Sequence, residues 1–332
     1  MRLRKLLFPL ILLITITIPP ASAHSPIIAG GNESPDRAIV IYDPAKSWAV
    51  FSHLPEGATA QFYKLEINEG DRLYFTLQIS PESRKSGFSP IVAIIGPGLP
   101  DRLESLPFEV PEGSGLLLIK GTPADSASYE GFTPTVFYRV VSYSSPAPAT
   151  GAYYLAVFDE NPGSYSLAIG YREEFTPYEW AMIPINQILI YLWSGQSPIA
   201  VLAPMGLVVL VGVLLLLRRG HFAETRHPSK VLVSVASLLY IGTGATILNQ
   251  IVYASRWVEL GPEVGITVAF AVLPVILGIA AIRKARNWSQ SAKDRLTVFA
   301  FGVLGILLWA GALVGPSMMM IASILPGRPL DS

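Results

Sequence analysis

SPIAVLAPMGLVVLVGVLLLLRR (197–219) decides how this chain is read. No charge occurs from Ser197 to Leu217, and Arg218-Arg219 ends the run. At about 1.5 Å per residue, roughly 20 apolar residues cross the ~30 Å hydrocarbon core of a bilayer. A helix satisfies its own backbone there, so helix is the expected conformation. Three more charge-free runs follow, at roughly 231–253, 264–282 and 296–325. Four transmembrane helices are therefore expected in 196–325, with 326–332 as a short tail.

The loops between the runs orient them. Loop 218–230 holds Arg218, Arg219, Arg226 and Lys230, and loop 283–295 holds Arg283, Lys284, Arg286, Lys293 and Arg295. The opposite side offers only Arg256 and Arg328. Basic loops stay cytoplasmic, so residues 24–195 and the C-terminus are expected outside a plasma membrane.

The start of the chain predicts the same orientation. Arg2, Arg4 and Lys5 precede an apolar run, Leu6 to Ile18, then Pro19-Pro20 and Ala21-Ser22-Ala23. That is the layout of a cleavable signal peptide over 1–23. Cleavage after Ala23 would make His24 the first mature residue.

The zero net charge hides a split. Residues 24–195 carry 10 Lys/Arg against 19 Asp/Glu, and 196–332 carry 11 against 5. An acidic exterior argues against a nucleic-acid partner. The chain has no cysteine, which excludes disulfides, thiol catalysis and zinc–thiolate sites.

Residues 24–172 read as strands. Gln61 to Ile67 and Arg72 to Ile79 alternate with period two around the turn cluster Asn68-Glu69-Gly70-Asp71. Further short runs occupy 47–51, 91–95, 115–119, 137–141, 154–158 and 165–169. The last two flank Asp159 to Gly163, which reads as a hairpin loop. Many short strands between Gly/Pro-rich turns predict an all-β outer domain, a β-sandwich.

Segment 60–79 (AQFYKLEINEGDRLYFTLQI) is similar to the opening of the bacterial pre-peptidase C-terminal domain. Segment 150–171 (TGAYYLAVFDENPGSYSLAIGY) resembles that family's closing hairpin. The resemblance implies a jelly-roll-like sandwich. The whole chain also looks like a group of uncharacterised exported multi-span membrane proteins, through DPAKSWAVF (43–51) and REEFTPYEW (172–180). That likeness implies architecture and little chemistry.

Between the two parts, 173–195 predicts a juxtamembrane helix. Thr176-Pro177 is a sound start, and Glu179 suits the first turn. Its apolar and aromatic residues suggest an interfacial helix at the outer headgroup level, bent at Pro184.

Chemistry is sparse. No catalytic motif occurs in a suitable context, and no ionisable residue lies well inside a span, so transport has little support. Asn249 and Gln250 fall at the outer end of the second run, within reach of interfacial water. Gly311 and Gly315 form a GxxxG spacing that suits close helix packing, within the chain ahead of a homo-oligomer. Asn32-Glu33-Ser34 is a glycosylation sequon.

One metal reading exists. A mature N-terminal His24 offers an amine and an imidazole nitrogen, and His53 could add a second imidazole. Such a copper site would resemble the histidine brace of copper-binding sandwiches and oxidative polysaccharide-cleaving enzymes. The leading expectation is non-enzymatic: a membrane protein, in contact with lipid, presenting a sandwich to a protein or glycan partner. A copper-handling membrane protein is the alternative.

Overall fold

The computed structural model describes residues 24–100, 106–111, 113–122, 126–221, 228–289 and 291–325. The expected signal segment 1–23 and tail 326–332 lie outside these residues.

The strands are β1 (Ser25–Ile28), β2 (Ile39–Ile41), β3 (Trp48–Leu54), β4 (Gln61–Ile67), β5 (Arg72–Ile79), β6 (Ile91–Gly96), β7 (Gly115–Ile119), β8 (Ser128–Glu130), β9 (Thr135–Pro146), β10 (Gly151–Phe158) and β11 (Gly163–Ile169). They form two sheets, ordered β1-β3-β11-β5-β9-β8 and β2-β4-β10-β6-β7. The core lies between them. Leu65 and Leu155 of one sheet and Val50, Leu77 and Leu167 of the other belong to one fully buried cluster. At its centre the hydroxyls of Tyr63 and Tyr165 meet at 2.7 Å, and the Tyr165 hydroxyl donates to Gln61 Oε1 at 2.7 Å. Buried hydroxyls are tolerable because they are paired in this way.

The hairpin expected across 159–163 is not formed. β10 pairs with β4 and β6, whereas β11 pairs with β3 and β5. The loop instead carries the chain from one sheet to the other. Asp159 fixes the crossing by accepting the Ser89 N–H at 2.8 Å. β4 and β5 are split between the sheets in the same way. Asn32 is also not available as a glycosylation acceptor. It is 1% exposed, and its amide donates to the Phe62 carbonyl.

A short helix, α1 (Pro81–Lys85), follows β5, and α2 (Pro177–Trp193) leads into the apolar region. Three helices are long and apolar enough to cross a membrane: α3 (Pro198–Arg218), α4 (Pro228–Ala254) and α5 (Val264–Arg286). The fourth expected crossing is a broken helix. α6 (Ala292–Leu307) stops, residues 308–313 turn, and α7 (Val314–Ile324) runs back beside α6. A Cβ on Gly302 would sit 2.9 Å from Met320 Cγ, and one on Gly305 would sit 3.0 Å from Pro316 Cγ, which fixes the antiparallel pairing.

The direction of α7 is read from its contacts with α4. Gly311 N–H donates to Thr243 Oγ1 at 2.7 Å. Four residues on, Gly315 faces Tyr240 and the Ala236 carbonyl. α7 thus descends α4 antiparallel, toward the end of the bundle that carries the basic loops, not the end that meets the sandwich. The reason is the turn. Trp309, Ala312 and Leu313 take left-handed φ values of 54°, 49° and 65°, and Gly311 takes 71°. Such a conformation is unfavourable by roughly 1–2 kcal/mol for each non-glycine residue. Stacking of Trp309 on Phe270, at 4.2 Å and 11°, helps hold it.

Gln250 is not at a wet surface. It is fully buried and exchanges two amide hydrogen bonds with Gln196, at 2.8 and 2.9 Å. The GxxxG glycines pack within the chain: a Cβ at either position would press on the Tyr240 ring.

Candidate functional site

α2 joins the two halves. A capping box starts it: Thr176 Oγ1 accepts from Glu179 N–H, and Glu179 returns the bond to Thr176 N–H. Lys46 then holds Glu179 at 2.6 Å, and both side chains are mostly buried. At the other end the Trp193 indole N–H donates to the Ser52 carbonyl at 2.7 Å, with its ring edge-on to Phe51. The helix therefore lies across the outer face of the β1-β3-β11-β5-β9 sheet. Ile183, Gln187 and Ile190 look toward that sheet, at i, i+4 and i+7. Pro184, Ile188 and Tyr191 line a small apolar crevice together with Val201, Met205 and Ile247 of the bundle. α2 is a spacer with one apolar face toward the sheet and another toward the bundle.

Next to it the sandwich reaches into the bundle. The turn after β8 puts Gly131 against α5, where the Thr267 hydroxyl donates to the Gly131 carbonyl at 2.6 Å. Phe132 follows, 6.1 Å from Phe270 and 6.3 Å from Trp309, and its carbonyl accepts from Gln187 Nε2. Trp180 lies 4.8 Å from Trp309. One aromatic cluster thus contains residues from the sandwich, from α2, from α5 and from the α6–α7 turn.

A cavity of about 280 Å³ opens beside this cluster, between α2 and the sheet. Phe132, Phe137, Phe175, Trp180 and Trp309 supply its aromatic walls, and His24, Glu130 and Glu173 its ionisable groups. No lysine or arginine lines it among the described residues. Glu130 ends β8 and accepts the Phe132 N–H at 3.1 Å. Burial pushes its carboxyl up to about 7; the Phe132 bond opposes this and the Glu173 charge adds to it. Burial also pushes the His24 imidazole below its ordinary value, against the pull of Glu173. The indole N–H groups of Trp180 and Trp309 are buried and find no acceptor among the described residues.

The two histidines of the copper reading are not brought together. His24 contacts Ser47 through Nδ1 and lines the cavity. His53 is exposed and contacts Ser164 at 3.1 Å. Ser25 pairs with Trp48, so His24 is level with Ser47 and His53 lies six residues further along β3. At about 3.3 Å per residue, that is roughly 20 Å. A two-histidine brace does not form at that separation. Among the described residues no group of three or more His, Cys, Asp or Glu is placed to hold a metal ion.

Glu130 and the aromatic cluster escape sequence reading. Ser128-Tyr129-Glu130 is too short to show a period, and Phe132 and Trp309 meet only through the fold. Gly131 is the single local signal: a Cβ there would press on the Glu263 carbonyl at 2.8 Å. Comparison of the chain with protein-family models finds no match, and comparison with curated proteins finds no relative.

Proposed function

We propose that this chain is a non-enzymatic integral membrane protein that binds a small ligand at the seam between its β-sandwich and its helices. The observation that carries this reading is the cavity whose walls come from both halves. Ligand sites favour such junctions and combine apolar walls with a few polar groups. A cavity of about 280 Å³ is of a size that takes one small molecule or a headgroup. The expected partner thereby narrows from a protein or glycan on the sandwich surface to a compact ligand beneath it.

The protein would sit in the plasma membrane with the sandwich outside. With α7 returning to the basic end, Arg256 is the one Lys or Arg in the described loop 255–263 at the opposite end, which strengthens the charge bias. Occupancy of the cavity would be felt by the helices through Phe132 and Trp309.

The test is a thermal-shift screen of small molecules on the full chain, compared with Ala168→Phe, which fills the cavity from β11. Ligands that raise the melting temperature of the native chain should fail on the filled variant, its fold verified by circular dichroism. Equal stabilisation of both proteins would place binding elsewhere and overturn the reading.

A further inference from the structure

We infer that the seam cavity is a site for an organic ammonium group, held beside the Glu130 carboxylate within aromatic walls that include Phe132 and Trp180. The inference rests on the binding reading above and assigns its ligand class. The charged lining is one-sided. Glu130 and Glu173 are its carboxylates, and no Lys or Arg faces them from the sheet, α2 or the α6–α7 turn among the described lining residues. The His24 imidazole is held toward its neutral form by burial. An anion would meet two carboxylates and no lysine or arginine among the described lining residues. A neutral ligand would leave Glu130 desolvated without a counter-charge. An ammonium group supplies one, and a buried charge is tolerated when paired.

The walls fit the same chemistry. Aromatic faces attract cations, most strongly where water is excluded. Three elements that are remote in sequence deliver Phe132, Trp180 and Trp309 to one cluster. The outer domain's excess of carboxylates also raises the local concentration of cations near the opening.

Such a group could arrive free or on a lipid. Gln187 and Trp309 line this cavity and also a smaller apolar crevice that continues to Leu202 and Met205 on α3. A lipid amine and a free alkylammonium share the headgroup chemistry, and experiment separates them.

The full chain is purified and reconstituted in phosphatidylglycerol nanodiscs, then titrated with choline and with ethanolamine while tryptophan fluorescence is read. Saturable quenching is expected, at least tenfold weaker in Glu130→Gln and in Trp180→Ala, and nearly retained in Trp180→Phe. Parallel nanodiscs containing phosphatidylethanolamine or phosphatidylcholine test the lipid source. Glu130-dependent enrichment of those lipids around the protein, without a response to the free amines, identifies lipid-borne ammonium. Acetate and glucose are run as anionic and neutral probes. Quenching by either of them that Ala168→Phe abolishes, with none by ammonium, overturns this inference and leaves the cavity reading standing. No response to any probe, with no lipid enrichment, overturns the ammonium assignment; the thermal-shift screen then decides the cavity reading separately.

Discussion

The side-chain amides of Gln196 and Gln250 face each other and exchange two hydrogen bonds, both buried, where α3 begins and α4 ends. Each amide satisfies the other in a place water does not reach. Removing one partner strands the other, at about 1–3 kcal/mol, whereas replacing both by apolar groups is close to neutral. Gln250→Ala should therefore lower the melting temperature of the detergent-solubilised chain clearly, and Gln196→Leu/Gln250→Leu should recover most of it. A double variant as unstable as the single one would show that the pair is not a closed unit.

The Glu130 carboxyl sets a pH dependence. Its folded-state value is raised, to about 7, so the folded chain holds this proton more tightly than the unfolded chain. The stability contributed by the protonated form is full below the ordinary glutamate range and falls as pH climbs to about 7. Glu130→Gln removes that loss. It should stabilise the protein at pH 8 on the order of 2 kcal/mol and change little at pH 4. Melting curves of both proteins across this range decide the point; parallel pH profiles would contradict it.

The α6–α7 turn makes a topological prediction. A reporter that is active only in the cytoplasm, fused after Ser332, should be active, and one fused after Arg256 should not. Activity of an export-dependent reporter at Ser332 would require a full fourth crossing and would refute the hairpin.

Gly305 lets α6 lie on Tyr240. A Cβ at this position would stand 2.1 Å from the tyrosine hydroxyl, which donates to the Phe301 carbonyl. Gly305→Ala should destabilise by roughly 1–3 kcal/mol through overpacking. Gly206 on α3 has open space around its would-be Cβ and serves as the control. Equal melting temperatures for Gly305→Ala and Gly206→Ala would dismiss the close approach. Tyr240→Leu should relieve part of the Gly305→Ala defect.

Alternation made β4, β5 and β7 legible to the residue, because each carries period-two or continuous apolar patterning between clear turn residues. β1, β2 and β8 were not, being three or four residues long. Pattern also could not say which strands share a sheet, so the crossing at 159–163 looked like a hairpin. In the last apolar run, Leu308 to Leu313 is as hydrophobic as its flanks. Hydropathy records how much apolar surface a segment has and not where it turns. The seam cavity was invisible for a related reason: its walls are contributed by residues as far apart as His24 and Trp309.

The last-made helices close what the first-made domain leaves open. Phe132 has left the ribosome long before Trp309 is synthesised, and the two meet only when the α6–α7 turn is seated. A chain that ends before the turn therefore leaves Phe132 without its Trp309 neighbour. Completion of the protein is thus written at one contact, that of Phe132 with Trp309.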